Sequence, residues 1–140
     1  MKPPVWLERE DCVAIHEMML SQHGGLAGVR DEGLLASALA RPQNRLAYRS
    51  SSSLHALAAS YAAGIVLNHP FVDGNKRTGF LVAVTFLELN GLVFNATEES
   101  VVEHTLGLAS GGIKEPRYAA WLKAHSKRVD ISNQNELSRR

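Results

Sequence analysis

Apolar side chains recur at intervals of three and four along almost the whole chain, the period of a helix with one buried face. Cys12, Ile15, His16, Met19 and Leu20 form one such stripe, which stops at Gly24-Gly25. Asp31 caps a short second helix carrying Leu34, Leu35, Ala38 and Leu39, and Pro42 closes it. The segment 24–30 between them is rich in glycine and reads as a mobile loop. Serines 50–53 offer N-caps for an Ala-rich helix, 54–68, with Leu54, Leu57, Ala58, Tyr61 and Ile65 on one face. After a break at His69-Pro70 a further helix runs from about Asn75 to Asn90, stopped by Gly91. Its body, Phe80 to Leu87, is apolar all round, so it reads as the central, buried helix. Thr97 or Asn95 caps a helix with Val101, Val102, Leu106 and Leu108, and Pro116 suits the first turn of a last one bearing Tyr118, Trp121 and Leu122. The pattern predicts an all-α domain of about six helices around a central one, over residues 1–125. A polar tail, 126–140, is expected to fray.

Composition narrows the setting without choosing a function. At 140 residues with 45% apolar and 21% charged positions, the chain suits one globular domain. A net charge of +1 offers no field for nucleic acid or an anionic membrane, so neither is expected as a partner. The single cysteine, Cys12, cannot build a disulfide framework and fits a reducing, cytoplasmic setting. Met1-Lys2-Pro3-Pro4 has no apolar stretch behind its charge, so no signal peptide is expected.

The chemistry is concentrated between the two most apolar helices, in His69-Pro70-Phe71-Val72-Asp73-Gly74-Asn75-Lys76-Arg77. Pro70 pushes His69 out of helical geometry. Asp73-Gly74 is a turn dipeptide whose glycine can take positive φ. Gly74, Asn75, Lys76 and Arg77 then open a helix whose N–H groups and dipole favour an anion. Two cations in a first turn oppose that dipole, and a bound phosphate reverses the penalty. Asp73 can offer an oxygen to Mg²⁺, which commonly takes one or two carboxylates plus substrate phosphates. His69 can accept a proton from a hydroxyl near neutral pH. Phe71 is the apolar pin that holds the loop to the core.

This stretch resembles the signature of the Fic/Doc family, H-P-F-x-[D/E]-G-N-G-R-x-x-R in adenylylating members. Asn-Lys-Arg in place of Asn-Gly-Arg is similar to the Doc branch, the death-on-curing toxins of toxin–antitoxin pairs. Residues 24–31 and 34–42 also resemble the N-terminal half of Doc proteins, and the likeness extends over roughly residues 4–125. It implies the Fic fold, with His69 as general base and Asp73 as Mg²⁺ ligand. It implies Gly74, Asn75, Lys76 and Arg77 as the phosphate nest, with Arg77 also acting in catalysis. The expected reaction is transfer of the ATP γ-phosphoryl to a Ser/Thr hydroxyl of a protein, elongation factor Tu in the Doc branch. Phe80 stands where adenylylating members carry a second Arg, which favours kinase chemistry over nucleotidylation, the nearest alternative. A catalytically inactive partner of an antitoxin is a further alternative, disfavoured because the catalytic positions are all filled. Many Fic proteins carry an inhibitory [S/T]-x-x-x-E-[G/N] helix. Here Glu32 is the only Glu followed by Gly or Asn, and Gly28 replaces the Ser or Thr. Inhibition is therefore expected from a Phd-like antitoxin in trans.

Other constellations read as structure. Cys12 and His16 lack the further ligands of a tetrahedral metal site and read as a core Cys beside a half-buried His. His16-Glu17 lacks the second His of a zincin helix, since Leu20 stands there. The glycines of 24–28 lack the strand that precedes a dinucleotide-binding turn and read as a flap.

Overall fold

The helices follow in the order that the apolar stripes predict. In the computed structural model, which describes residues 2–129, they are α1 (Arg9–His23), α2 (Glu32–Tyr48), α3 (Leu54–Asn68), α4 (Asn75–Leu89), α5 (Glu98–Ser110) and α6 (Glu115–Ala124). The starts of α2, α3 and α5 are set by side chains that satisfy N–H groups the first turn leaves unpaired. Asp31 accepts from Leu34 N–H at 3.0 Å, Ser53 from Ala56 N–H at 3.1 Å and Thr97 from Ser100 N–H at 3.1 Å. Thr97, not Asn95, is thus the cap of α5; the Asn95 N–H donates to the His125 carbonyl at 2.9 Å. The all-α class holds, with one addition: β1 (Leu92–Phe94) pairs antiparallel with β2 (Ser126–Arg128). The expected fraying tail is therefore corrected at its start. Residues 126–128 are fastened to β1, and residues 130–140 lie outside the described residues.

The central helix is α3, not α4. Leu57 through Val66 are all buried, and α3 packs against α2, α4, α5 and α6. Alanines at 58, 59, 62 and 63 explain this, because short side chains let neighbours close in on every side of one cylinder. The α4 helix buries Thr78, Gly79, Val82, Ala83, Phe86 and Leu87 but leaves Lys76, Arg77, Glu88 and Leu89 exposed. Its apolar body spreads over a core face and a cleft wall.

Pro42 does not close α2, which runs on to Tyr48. A proline inside a helix leaves the carbonyl four residues back without its N–H, here Ala38. That carbonyl lies against Gly64 of α3. A Cβ built on Gly64 would sit 3.0 Å from Ala38 Cα and Cβ and 3.4 Å from Ala38 O. The bare glycine lets the two helices touch backbone to backbone, and burial along this contact offsets the missing bond.

Candidate active site

The loop from His69 to Gly74 joins the C-terminus of α3 to the N-terminus of α4 and is held from both sides. His69 is the C-cap of α3 at φ 52°, ψ 58°, the only residue other than glycine with positive φ among the described residues. Its N–H still donates to the Ile65 carbonyl at 3.1 Å. Its imidazole is exposed, with no hydrogen-bond partner among the described residues. On one side lies the glycine-rich segment expected to be a mobile loop. Part of it is instead laid on the motif as a short antiparallel bridge, Val29 opposite Phe71. Arg30 N–H donates to the Pro70 carbonyl at 2.7 Å, and Val72 N–H donates to the Gly28 carbonyl at 3.0 Å. The Leu26 N–H reaches Asp73 Oδ2 at 3.2 Å. Backbone polar groups that loops normally give to water are here paired with each other.

The N–H and carbonyl of Phe71 face the other way, into α4. The buried Asn75 carboxamide meets both: its Oδ1 accepts from Phe71 N–H at 2.9 Å and its Nδ2 donates to Phe71 O at 3.0 Å. One side chain thus copies the pairing of a neighbouring strand. This gives Asn75 a structural part in the predicted nest: its Oδ1 and one of its two Nδ2 protons are committed to Phe71. Phe71, the expected pin, is buried, and its ring stacks on His16 at 4.0 Å between centroids, 10° from parallel. His16 Nε2 lies 2.8 Å from the Asp73 carbonyl oxygen, and since that oxygen can only accept, Nε2 carries the proton. Pairing of His16 with this loop was not legible in the sequence, which offered only its place on the buried stripe of α1.

Gly74 begins α4 at φ 75°. A Cβ there would fall 2.1 Å from Met19 Cε, so α1 closes the space behind the turn. The Gly74 N–H goes to Asp73 Oδ1 at 2.9 Å and its carbonyl receives Thr78 N–H at 3.0 Å. The N–H groups of Asn75, Lys76 and Arg77 have no partner among the described residues, as expected for a first helical turn. They open, with Asp73 and Gly74, into a cleft of about 550 Å³ between α1, α4 and α5. Met18, Phe80, Leu81, Val101 and Leu106 form its apolar walls. Arg77 Nη1 lies 3.8 Å from Glu98 Oε1 and 3.4 Å from His23 Nε2, a loose, exposed pairing of the kind that contributes little. Lys76 is exposed. His69 does not line this cleft, whereas Asp73, Gly74, Asn75, Lys76 and Arg77 do.

The residues present fit a phosphate-bound Mg²⁺ better than an independent metal site. No cluster of three His, Cys, Asp or Glu capable of holding an ion occurs among the described residues. Asp73 is exposed beside the helix terminus, and each of its oxygens keeps a lone pair after accepting one N–H. A single carboxylate next to a phosphate cradle is a common protein share of a Mg²⁺ shell. Cys12 takes no part: burial pushes its thiol up to about 12, and His16, its neighbour one turn on, is committed to the motif loop. Phe80 leans on Phe94 and Trp121, with centroids at 5.6 and 6.2 Å. No helix among the described residues is long and apolar enough to cross a membrane.

The model of the Fic/DOC family matches residues 6–87. The chain is 35% identical over 115 residues to the protein kinase doc of Escherichia phage P1, across 81% of this chain and 90% of that protein. It is 40% identical over 88 residues to the toxin Doc of Mycolicibacterium smegmatis, across 62% of this chain and 65% of that protein.

Proposed function

This chain belongs to the Fic/DOC family and to its Doc branch, and from that premise we propose that it is the toxin of a toxin–antitoxin pair, transferring the γ-phosphoryl of ATP to a Ser/Thr hydroxyl of a protein. The observation that carries this reading is the free first turn of α4, with Lys76, Arg77 and Asp73 opening into one cleft. The exposed imidazole of His69 takes the proton of the attacking hydroxyl. The new O–P bond forms as the bond to the β,γ-bridging oxygen breaks, and ADP leaves. The N–H groups of Asn75–Arg77 and the side chains of Lys76 and Arg77 stabilise the charge on the phosphoryl oxygens. Mg²⁺, held by Asp73 and the substrate phosphates, supplies neutralising charge when bound.

Phe80 favours phosphoryl transfer over nucleotidylation. It presents a ring packed on other aromatics at the position where adenylylating members of the family carry an arginine. Elongation factor Tu is the proposed target, on the resemblance to the Doc branch, and the cytoplasm is the setting in which the two would meet. Glu32 pairs with Arg9 at 3.0 Å, so the nearest match to an inhibitory motif is engaged elsewhere. Control is therefore proposed to come in trans, from a Phd-like antitoxin.

The test is incubation with Mg²⁺ and ATP labelled at the α or the γ position, with elongation factor Tu as acceptor and intact mass as readout. A gain of one phosphate, carrying the γ label and abolished by His69→Ala, is the expected result. Incorporation of the α label alone overturns the kinase reading and installs nucleotidylation. Lys76→Gly is expected to lower the transfer about a hundredfold, the usual scale for one preorganised transition-state contact.

A further inference from the structure

Arg30 lies outside both the motif and the cleft, yet its guanidinium is engaged with the backbone of the proposed base. Its Nε donates to the His69 carbonyl at 2.7 Å and its Nη2 to the Asn68 carbonyl at 2.8 Å. These are terminal carbonyls of α3, which have no partner within the helix and carry the negative end of its dipole. A planar, charged fork meets the two oxygens through two separate nitrogens held in fixed geometry, which the single nitrogen of an ammonium group does not offer. The residue held is the one non-glycine in left-handed geometry among the described residues, a conformation that a side chain with a Cβ disfavours. Backbone bonds from the same segment act on Pro70 and Val72. Among the described residues only the Arg30 side chain reaches the His69 carbonyl.

We propose that Arg30 is a positioning residue for phosphoryl transfer. It keeps His69 in its left-handed conformation and so aims the imidazole at the incoming hydroxyl. The proposal rests on His69 being the general base, and the experiment separates the two. Wild type, Arg30→Ala, Arg30→Lys and His69→Ala are compared for kcat and for KM of ATP, with elongation factor Tu as acceptor. Unfolding temperatures and the ¹³Cα and ¹³Cβ shifts of residue 69 are recorded alongside. Arg30→Ala is expected to lower kcat at least tenfold, since displacement of a reacting group by about 1 Å costs on the order of 10²-fold. KM and unfolding temperature stay near wild type, because Arg30 is exposed and does not line the cleft. Arg30→Lys recovers part of the rate by holding one carbonyl. The His69 shifts of Arg30→Ala move away from left-handed values, a readout that needs no acceptor protein. Unmoved shifts with wild-type kcat, beside an inactive His69→Ala, overturn the role of Arg30 and leave the base in place. An active His69→Ala overturns both.

Discussion

Replacing Asn75 tests whether the motif loop is built as described. Its carboxamide supplies the partners of both the N–H and the carbonyl of Phe71, a residue only 1% exposed. Asn75→Ala removes two hydrogen bonds at once. If water enters the space, the loss is two net bonds of about 1 kcal/mol each. If it does not, two buried backbone groups remain unpaired, and the cost rises to about 4 kcal/mol. We therefore predict a destabilisation of about 2–4 kcal/mol, or roughly 8–16 °C at about 4 °C per kcal/mol for a domain of this size. Asn75→Asp adds a signature of its own. It keeps the acceptor for the Phe71 N–H but turns a second oxygen against the Phe71 carbonyl. That contact and burial both disfavour the ionised form, so the folded-state pKa of the introduced carboxyl lies above its unfolded value. Folding then binds a proton, and stability falls as pH rises through that interval. Thermal unfolding followed by circular dichroism at several pH values reads both effects. An Asn75→Ala protein melting within about 1–2 °C of wild type, against the shift expected from its lost bonds, would refute the strand-like pairing of Asn75 with Phe71.

Three further predictions follow from the same packing. His16→Phe keeps the stack on Phe71 but leaves the Asp73 carbonyl without its donor, so we expect a loss of about 1–2 kcal/mol and slower phosphoryl transfer. His16→Ala, which also opens a cavity, should lose more, and wild-type stability in His16→Phe would remove that hydrogen bond from the account. Gly64→Ala gains about 1 kcal/mol of helix propensity, yet its Cβ meets Ala38 at 3.0 Å. Net destabilisation in urea, of about 1–2 kcal/mol, is expected, and a stabilised variant would show the α2–α3 contact to be loose. Burial first, then the charges of Lys123 and Arg128, hold His55 below its usual 6.5. The unfolded chain thus takes up that proton more readily. Its contribution to stability is present above the unfolded value and is lost as pH falls through the folded one. His55→Gln should flatten the decline in stability between about pH 7 and 5, measured by urea unfolding.

What the sequence made legible was what local chemistry decides. Caps at Asp31, Ser53 and Thr97, stops at Gly24 and Gly91, and apolar stripes at helical spacing place six helices without reference to one another. The nine residues from His69 to Arg77 marked a loop that ends one helix and starts the next, because Pro70 and Gly74 break helical geometry between two apolar runs. What escaped depends on partners distant in the chain. Pro42 reads as a stop until the Ala38–Gly64 contact is known. The apolar body of α4 reads as the centre until the short side chains of α3 are seen to admit neighbours all round. Ser126–Arg128 is polar, and only β1 makes it a strand. The pairing of segment 28–31 with 70–72, and the two roles of His16 and Arg30, are long-range hydrogen bonds that no spacing encodes.

The Ala-walled α3 also bears on the order in which the molecule assembles. Its most extensive contacts are with α2 and α4, the helices on either side of it in the chain, so little loop entropy opposes their formation. The loop carrying His69 and Asp73 is the hairpin between two of these three helices. We therefore predict that this loop forms in the nucleus of folding, while α6, which must return across the chain to reach α3, docks later. Chevron analysis should give high φ-values for Ala62 and Val66, which lie against Gly79 at the α3–α4 contact, and low ones for Leu122 in α6. The reverse ranking would place the hairpin late. An early hairpin means that a slow or failed docking of α6 yields a chain whose turn from His69 to Gly74 is already built.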